Sequence, residues 1–197
     1  IGGSNNYRGA IMYKIVTELW EANSYTIVPS NWANGNNIQA AIVAYRGVDF
    51  DNPFNVTGPF ISAGTTGSTI ALPAISTTIA NTLVVQLSMS WRTSGTARNY
   101  SSWSISNPGN LTEIYDIGNI TSVKLGAATR IKASTGSTGN GTVTLSGANT
   151  YRGGIMLALN PLPPISVSAT ATEICVGSNT ITITVTVSDG VSPYTYT

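Results

Sequence analysis

The chain has 197 residues, a net charge of +1 and only 9% charged residues, while a third of it is Ser, Thr or Asn. No Lys/Arg cluster offers phosphate contacts, which excludes a basic nucleic-acid face, and 42% hydrophobic residues exclude wholesale disorder. The charge-free stretch from residue 52 to 91 is broken by Pro53, Pro59, Pro73 and many hydroxyl residues, so it supplies no continuous apolar membrane span.

Glu and Lys, good helix formers, are scarce, whereas Thr, Val, Ile and Tyr are common, which favours strands. Short alternating or apolar runs predict strands at 9–17, 24–28, 38–45, 69–72, 82–90, 101–105, 121–125, 141–146, 153–159, 165–170 and 180–188. Turn signals separate them, among them Asn34-Gly35, Asn107-Pro108-Gly109 and the Gly/Ser/Thr-rich run 136–141. The first segment also carries a helical spacing, Ile11, Ile15 and Leu19, but its β-branched content favours a strand. The alternation is clearest at 180–188, where Ile181, Ile183, Val185 and Val187 share one face and Thr and Ser residues take the other. Many strands without an intervening helical pattern predict an all-β fold, an antiparallel β-sandwich of jelly-roll-like form over residues 1–160.

Pro161-Leu162-Pro163-Pro164 predicts a stiff, extended connector over 161–164. Residues 165–197 then offer two or three strands, too few to close an independent core. Either a second domain is cut within the chain or another chain supplies the missing strands. Neither an initiator Met nor a signal-peptide pattern stands at Ile1, so a mature, trimmed or partial segment is expected.

A short echo recurs at Tyr7-Arg8-Gly9, Tyr45-Arg46-Gly47 and Tyr151-Arg152-Gly153, at unequal intervals that exclude a solenoid repeat. Read as a strand device, the Tyr covers apolar surface, the Arg caps it by stacking or pairing, and the Gly admits a neighbour. Coincidence among common strand residues is the competing explanation.

The chain has no histidine, which removes Ser-His-Asp and Cys-His catalysis, imidazole general-base chemistry and His-ligated zinc. The single Cys175 excludes an internal disulfide and reads as a small buried hydrophobe. The 136–141 run lacks the Lys-Ser/Thr ending of a phosphate loop. The eight carboxylates are Glu18, Glu21, Asp49, Asp51, Glu113, Asp116, Glu173 and Asp189, and a glycosidase would need two of them facing each other. Asp49, Asp51 and Asn52 lie on one tight loop and are candidate calcium ligands, although the EF-hand glycine and terminal Glu are absent; an Asx-turn is the plainer explanation. Trp20, Trp32, Trp91 and Trp103 are candidates for a sugar-stacking surface. Of these, Trp32, in the polar loop 30–37, is the candidate glycan-binding residue, while Trp103, alternating with serines, points inward. Five Asn-x-Ser/Thr sequons, at Asn55, Asn99, Asn110, Asn119 and Asn140, are as many as the composition alone produces.

The tail carries Ile165-Ser-Val-Ser-Ala-Thr-Ala-Thr172, Ile174-Cys175-Val-Gly-Ser178, the alternating strand at 180–188 and Gly190-Val-Ser-Pro-Tyr-Thr-Tyr196. It resembles the start of the immunoglobulin-like or PKD-like repeats of large Bacteroidota surface adhesins. Residues 44–49, 79–85, 112–116 and 153–159 more faintly resemble β-sandwich modules of secreted bacterial and phage-associated surface proteins. The resemblance implies a partial immunoglobulin-like β domain over 165–197, with further strands to follow. It also implies strands preceding a segment like residues 7–17, or strand donation from a neighbour. The expected role is a non-catalytic structural or adhesive module at the cell surface, needing no cofactor unless calcium. Its expected partners are neighbouring copies or adjacent repeats, joined by strand complementation with 180–188 as donor, and surface glycans are possible ligands. A carbohydrate-binding module is the alternative; no nucleic-acid partner and no membrane insertion are expected.

Overall fold

The computed structural model describes residues 9–16, 24–28, 39–92, 95, 98–118, 123–164, 166–171 and 183–188. Among them there is no helix. The strands are β1 (Phe54–Thr57), β2 (Ile61–Ala63), β3 (Gly67–Leu72), β4 (Ser76–Thr77), β5 (Thr82–Trp91), β6 (Tyr100–Ile105), β7 (Thr112–Gly118), β8 (Val123–Lys132), β9 (Gly136–Ser137), β10 (Gly141–Asn149), β11 (Tyr151–Leu159), β12 (Ser166–Ala171) and β13 (Ile183–Ser188). All pairings are antiparallel. The larger sheet runs β1-β11-β5-β8-β7, with β2 also on β11, and the smaller runs β3-β10-β6. The two lie face to face as a β-sandwich. Ile70 and Leu72 of β3, Val143 and Leu145 of β10, and Trp103 and Ile105 of β6 pack in one cluster with Val84, Ala128, Met156 and Ala158 of the larger sheet.

Period-two geometry gives the central strand β5 two different faces. Thr82, Val84, Gln86, Ser88 and Ser90 turn toward the smaller sheet, and Leu83, Val85, Leu87, Met89 and Trp91 turn away from it. The inward row is mostly polar and fully buried, a consequence of a sequence with many hydroxyls and few charges. Cross-links within the interior satisfy most of it. Gln86 Nε2 donates to the Ser104 carbonyl at 3.3 Å, Ser88 Oγ to the Gly153 carbonyl at 3.0 Å, and Asn149 Nδ2 to Ser90 Oγ at 2.9 Å. Buried cations hold carbonyls near the ends of the sandwich: Lys132 Nζ those of Ser134 and Thr135 at 2.6 and 3.1 Å, and Arg152 those of Thr69 and Thr65.

The outward row of β5 makes a second apolar layer. Val85, Leu157 and Leu159 are buried beneath Tyr45, Val48 and Phe54, so chain preceding β1 covers part of this face. This corrects three predicted elements. The described parts of the strands predicted at 9–17, 24–28 and 38–45, namely 9–16, 24–28 and 39–45, form neither strand nor helix. A strand exists only where an edge accepts its hydrogen bonds, and no sheet edge of the described chain takes these. Ile11, Met12, Val16, Ile27, Val28 and Ile42 stay exposed, while Tyr13 meets Phe54 edge-on at 4.8 Å. In the other direction, β1, β2 and β7 arise where no strand was expected, and β8 extends well past the predicted 121–125.

The Asn107–Pro108 peptide is cis, followed by Gly109 at φ 104°. The start of the proline connector is stitched to the segment before β1. Val48 bridges Pro161, Asp49 N donates to the Asn160 carbonyl at 3.1 Å, and Leu162 N donates to the Gly47 carbonyl at 2.9 Å. Beyond the connector, β12 and β13 pair with each other from Ser166↔Ser188 to Ala171↔Ile183.

Candidate functional site

The loop carrying Asp49, Asp51 and Asn52 is an Asx-turn. Asp49 Oδ1 accepts the backbone N–H groups of Asp51 at 2.9 Å and Asn52 at 3.1 Å. Asn160 Nδ2 donates to the Asn52 carbonyl at 2.8 Å, and Asn55 Nδ2 donates to Asn160 Oδ1 at 2.9 Å. The structure thus brings the three candidate calcium ligands onto one loop, with one carboxylate oxygen already engaged by the turn itself. The side chains of Asp51 and Asn52 lie at the exposed surface.

Of the candidate stacking rings, Trp32 and Trp20 lie outside the described residues. Trp103 is 3% exposed, tilted against Tyr100 with centroids 5.0 Å apart, and its Nε1 donates to Glu113 Oε2 at 2.8 Å. Its inward direction matches the alternation with serines. An open hollow of about 290 Å³ is lined by Ser101, Ser102, Trp103, Asn110 and Glu113, and at 3% exposure Trp103 offers it little indole surface. Trp91 stacks on Tyr151 at 5.1 Å.

The Tyr-Arg-Gly echo does not mark one device. Tyr45 and Tyr151 both cover apolar surface, the first over Val85, Leu157 and Leu159, the second on Trp91. Arg152, however, turns between the sheets to hold carbonyls, whereas Arg46 is exposed. Gly47 sits at φ 73° in a turn. Tyr7-Arg8 lies outside the described residues, as do Cys175, Glu18, Glu21, Glu173 and Asp189.

The most concentrated polar chemistry lies where β6, β7 and β8 meet. Lys124 Nζ donates to Asn99 Oδ1 at 2.6 Å and to Asp116 Oδ1 at 3.3 Å, with the Lys and Asp side chains only 10% and 14% exposed. Asp116 Oδ2 accepts the Tyr100 N–H at 3.0 Å, which fixes the carboxylate. Asn99 is fixed through its carbonyl, which accepts the Ser146 N–H at 2.8 Å, and through its neighbour Arg98, whose N–H donates to Asn149 Oδ1 at 3.0 Å. Two glycines make the space. A Cβ on Gly118 would lie 2.5 Å from Lys124 Cγ, and one on Gly126 would lie 2.5 Å from the Tyr100 ring. Burial pushes the Tyr100 phenol up, with Asp116 adding to the shift while contacts to Ser88 and Ser90 oppose it, so the ring beside the cluster stays neutral.

Sequence reasoning did not group these three residues. One signal was present: the parity that places Gly126 and Ala128 inward also places Lys124 inward, an unusual position for a lysine in so weakly charged a chain. In comparisons with known proteins the chain matches no family model, no curated protein and no solved structure.

Proposed function

We propose that this chain is a non-catalytic structural or adhesive module of a large extracellular surface protein or filament. In this reading a jelly-roll-like sandwich is followed by the start of an immunoglobulin-like domain, and neighbours join by exchanging strands. The observation that carries it is the behaviour of residues 9–16, 24–28 and 39–45. They have the alternation and β-branched content of strands, form none within the described chain, and present Met12, Val28 and Ile42 at 73%, 82% and 76% exposure. Strand-patterned segments with exposed apolar side chains are suited to the sheet edge of another copy, where backbone hydrogen bonds supply affinity and alternate side chains supply register. Residues 180–188 are the less suited donor, because Ile183–Ser188 already pairs with β12.

The long antiparallel ladders between β5 and its neighbours β8 and β11 support a mechanical role, since many backbone bonds share an applied load. Light scattering coupled to size exclusion, followed by electron microscopy of the native material, tests the reading. Concentration-dependent oligomers or filaments are expected, with the amide hydrogens of 9–16 protected from exchange only in the assembled form. A monodisperse monomer at all concentrations, exchanging freely at 9–16, would count against strand exchange.

A further inference from the structure

We propose that Lys124 and Asn99 form an intramolecular isopeptide bond, with Asp116 carrying the protons. An amine, a carboxamide and a carboxylate are the reactants and the proton carrier for such a bond, and here the amine touches both of the others. Lys124 Nζ stands 2.6 Å from Asn99 Oδ1, one bond away from the carbon it would attack, and 3.3 Å from Asp116 Oδ1. Lysine becomes a nucleophile when its ammonium gives up a proton, and a carboxylate within hydrogen-bond reach supplies an acceptor for it. The Lys124 and Asp116 side chains are 10% and 14% exposed, and Tyr100 lies beside them, its N–H on Asp116 Oδ2 at 3.0 Å and its hydroxyl 3.5 Å from the Lys124 carbonyl. Asn99 lies at the rim, which gives a leaving group a path to water. The Ser146 N–H fixes the main chain of Asn99 and the Tyr100 N–H fixes the Asp116 carboxylate before reaction, and such prior alignment makes slow acyl chemistry between fixed groups feasible.

The step balances without a co-reactant. Asp116 takes a proton from the Lys124 ammonium. The freed lone pair on Nζ attacks Asn99 Cγ, the proton on Asp116 passes to the amide nitrogen as its bond to Cγ breaks, and Nζ sheds a second proton, the one that ends on the departing ammonia as ammonium. A new Nζ–Cγ amide forms, and ammonia leaves and is protonated in water. No group is oxidised or reduced. The product ties β8 of the larger sheet to the residue preceding β6 of the smaller one.

The test is mass spectrometry of the purified full chain. Between Arg98 and Lys124 there is no Lys or Arg, so an unmodified chain gives a tryptic peptide 99–124. A Lys124 acylated at Nζ is not cut, so the expected product is a single peptide 99–130, lighter by one ammonia. Further cleavage after Glu113 should add one water without separating the halves. Lys124→Arg and Asn99→Ala should restore full mass. A wild-type chain giving peptide 99–124 overturns the proposal, whether at full mass or lighter through a succinimide at Asn99, and leaves a hydrogen-bonded ion pair. Full cross-linking in Asp116→Ala would overturn the proton-carrying step.

Discussion

Tyr45 shows how a single hydroxyl is accommodated here. Its ring lies on Val85, Leu157 and Leu159, yet its hydroxyl is buried with no hydrogen-bond partner among the described residues. A buried group left unpaired costs about 1–3 kcal/mol. Tyr45→Phe keeps the ring and removes that cost, so the variant should be more stable by about 1 kcal/mol in urea titration. Burial, with Tyr115 nearby, pushes the Tyr45 phenol up to about 12 from its ordinary value of 10.0, and burial also raises Tyr100 and Tyr115. The folded chain therefore keeps phenolic protons that the unfolded chain releases. Stability from these groups is complete below pH 10.0 and falls as pH rises from there through about 12. Melting curves across the alkaline range should show that decline, with a smaller slope in Tyr45→Phe. The same residue illustrates a limit of pattern reading. Tyr45 sits at the end of a run that alternates like a strand, but its ring packs from an irregular segment, because alternation records which side chains can be buried and not which backbone will pair with them.

At the scale of elements, β7 shows why a real strand was hidden. Its register on β8 shifts between Glu113 and Tyr115, so Ile114 is an extra residue and the period of two breaks in the middle of the strand. By contrast β5, β10 and β11 keep regular stretches of pairing and were readable from their side chains alone. The cluster of Lys124, Asn99 and Asp116 was hidden for a related reason. Its members come from β7, β8 and the residue before β6, and their proximity is set by a strand that sequence periodicity did not reveal. Thr138 gives a testable case of how short elements are held. It is fully buried beside the β4–β9 pair. Its backbone N–H donates to the Ile75 carbonyl at 2.9 Å, and its hydroxyl oxygen accepts the Ile75 N–H at 3.1 Å. Thr138→Val preserves the volume and strands that N–H, so a loss of about 1–3 kcal/mol is expected from calorimetry, with the amide of Ile75 exchanging faster.

For the molecule as a whole, the scarcity of charge sets the response to solvent. Cohesion comes from the apolar cluster between the sheets, from the layer outside the larger sheet and from hydrogen bonds among amides and hydroxyls. The cations Lys132 and Arg152 are spent on carbonyls rather than on carboxylates. Salt screens exposed charge pairs and leaves buried apolar contacts largely untouched by screening. The melting temperature should therefore move little between low salt and about 0.15 M sodium chloride, a range over which surface ion pairs lose much of their strength. A large drop would place hidden charge pairs at the centre of the fold's stability.

The two-faced β5 has a consequence for how this chain can vary. A single inserted or deleted residue in the middle of Thr82–Trp91 would rotate the following half by one step of the pleat. Leucine, methionine and tryptophan would then crowd the narrow gap now filled by serine, while serines would meet the rings and aliphatic chains of the outer layer. Gains or losses of residues in pairs preserve the facing of both rows, so length changes surviving in β5 should come in even numbers.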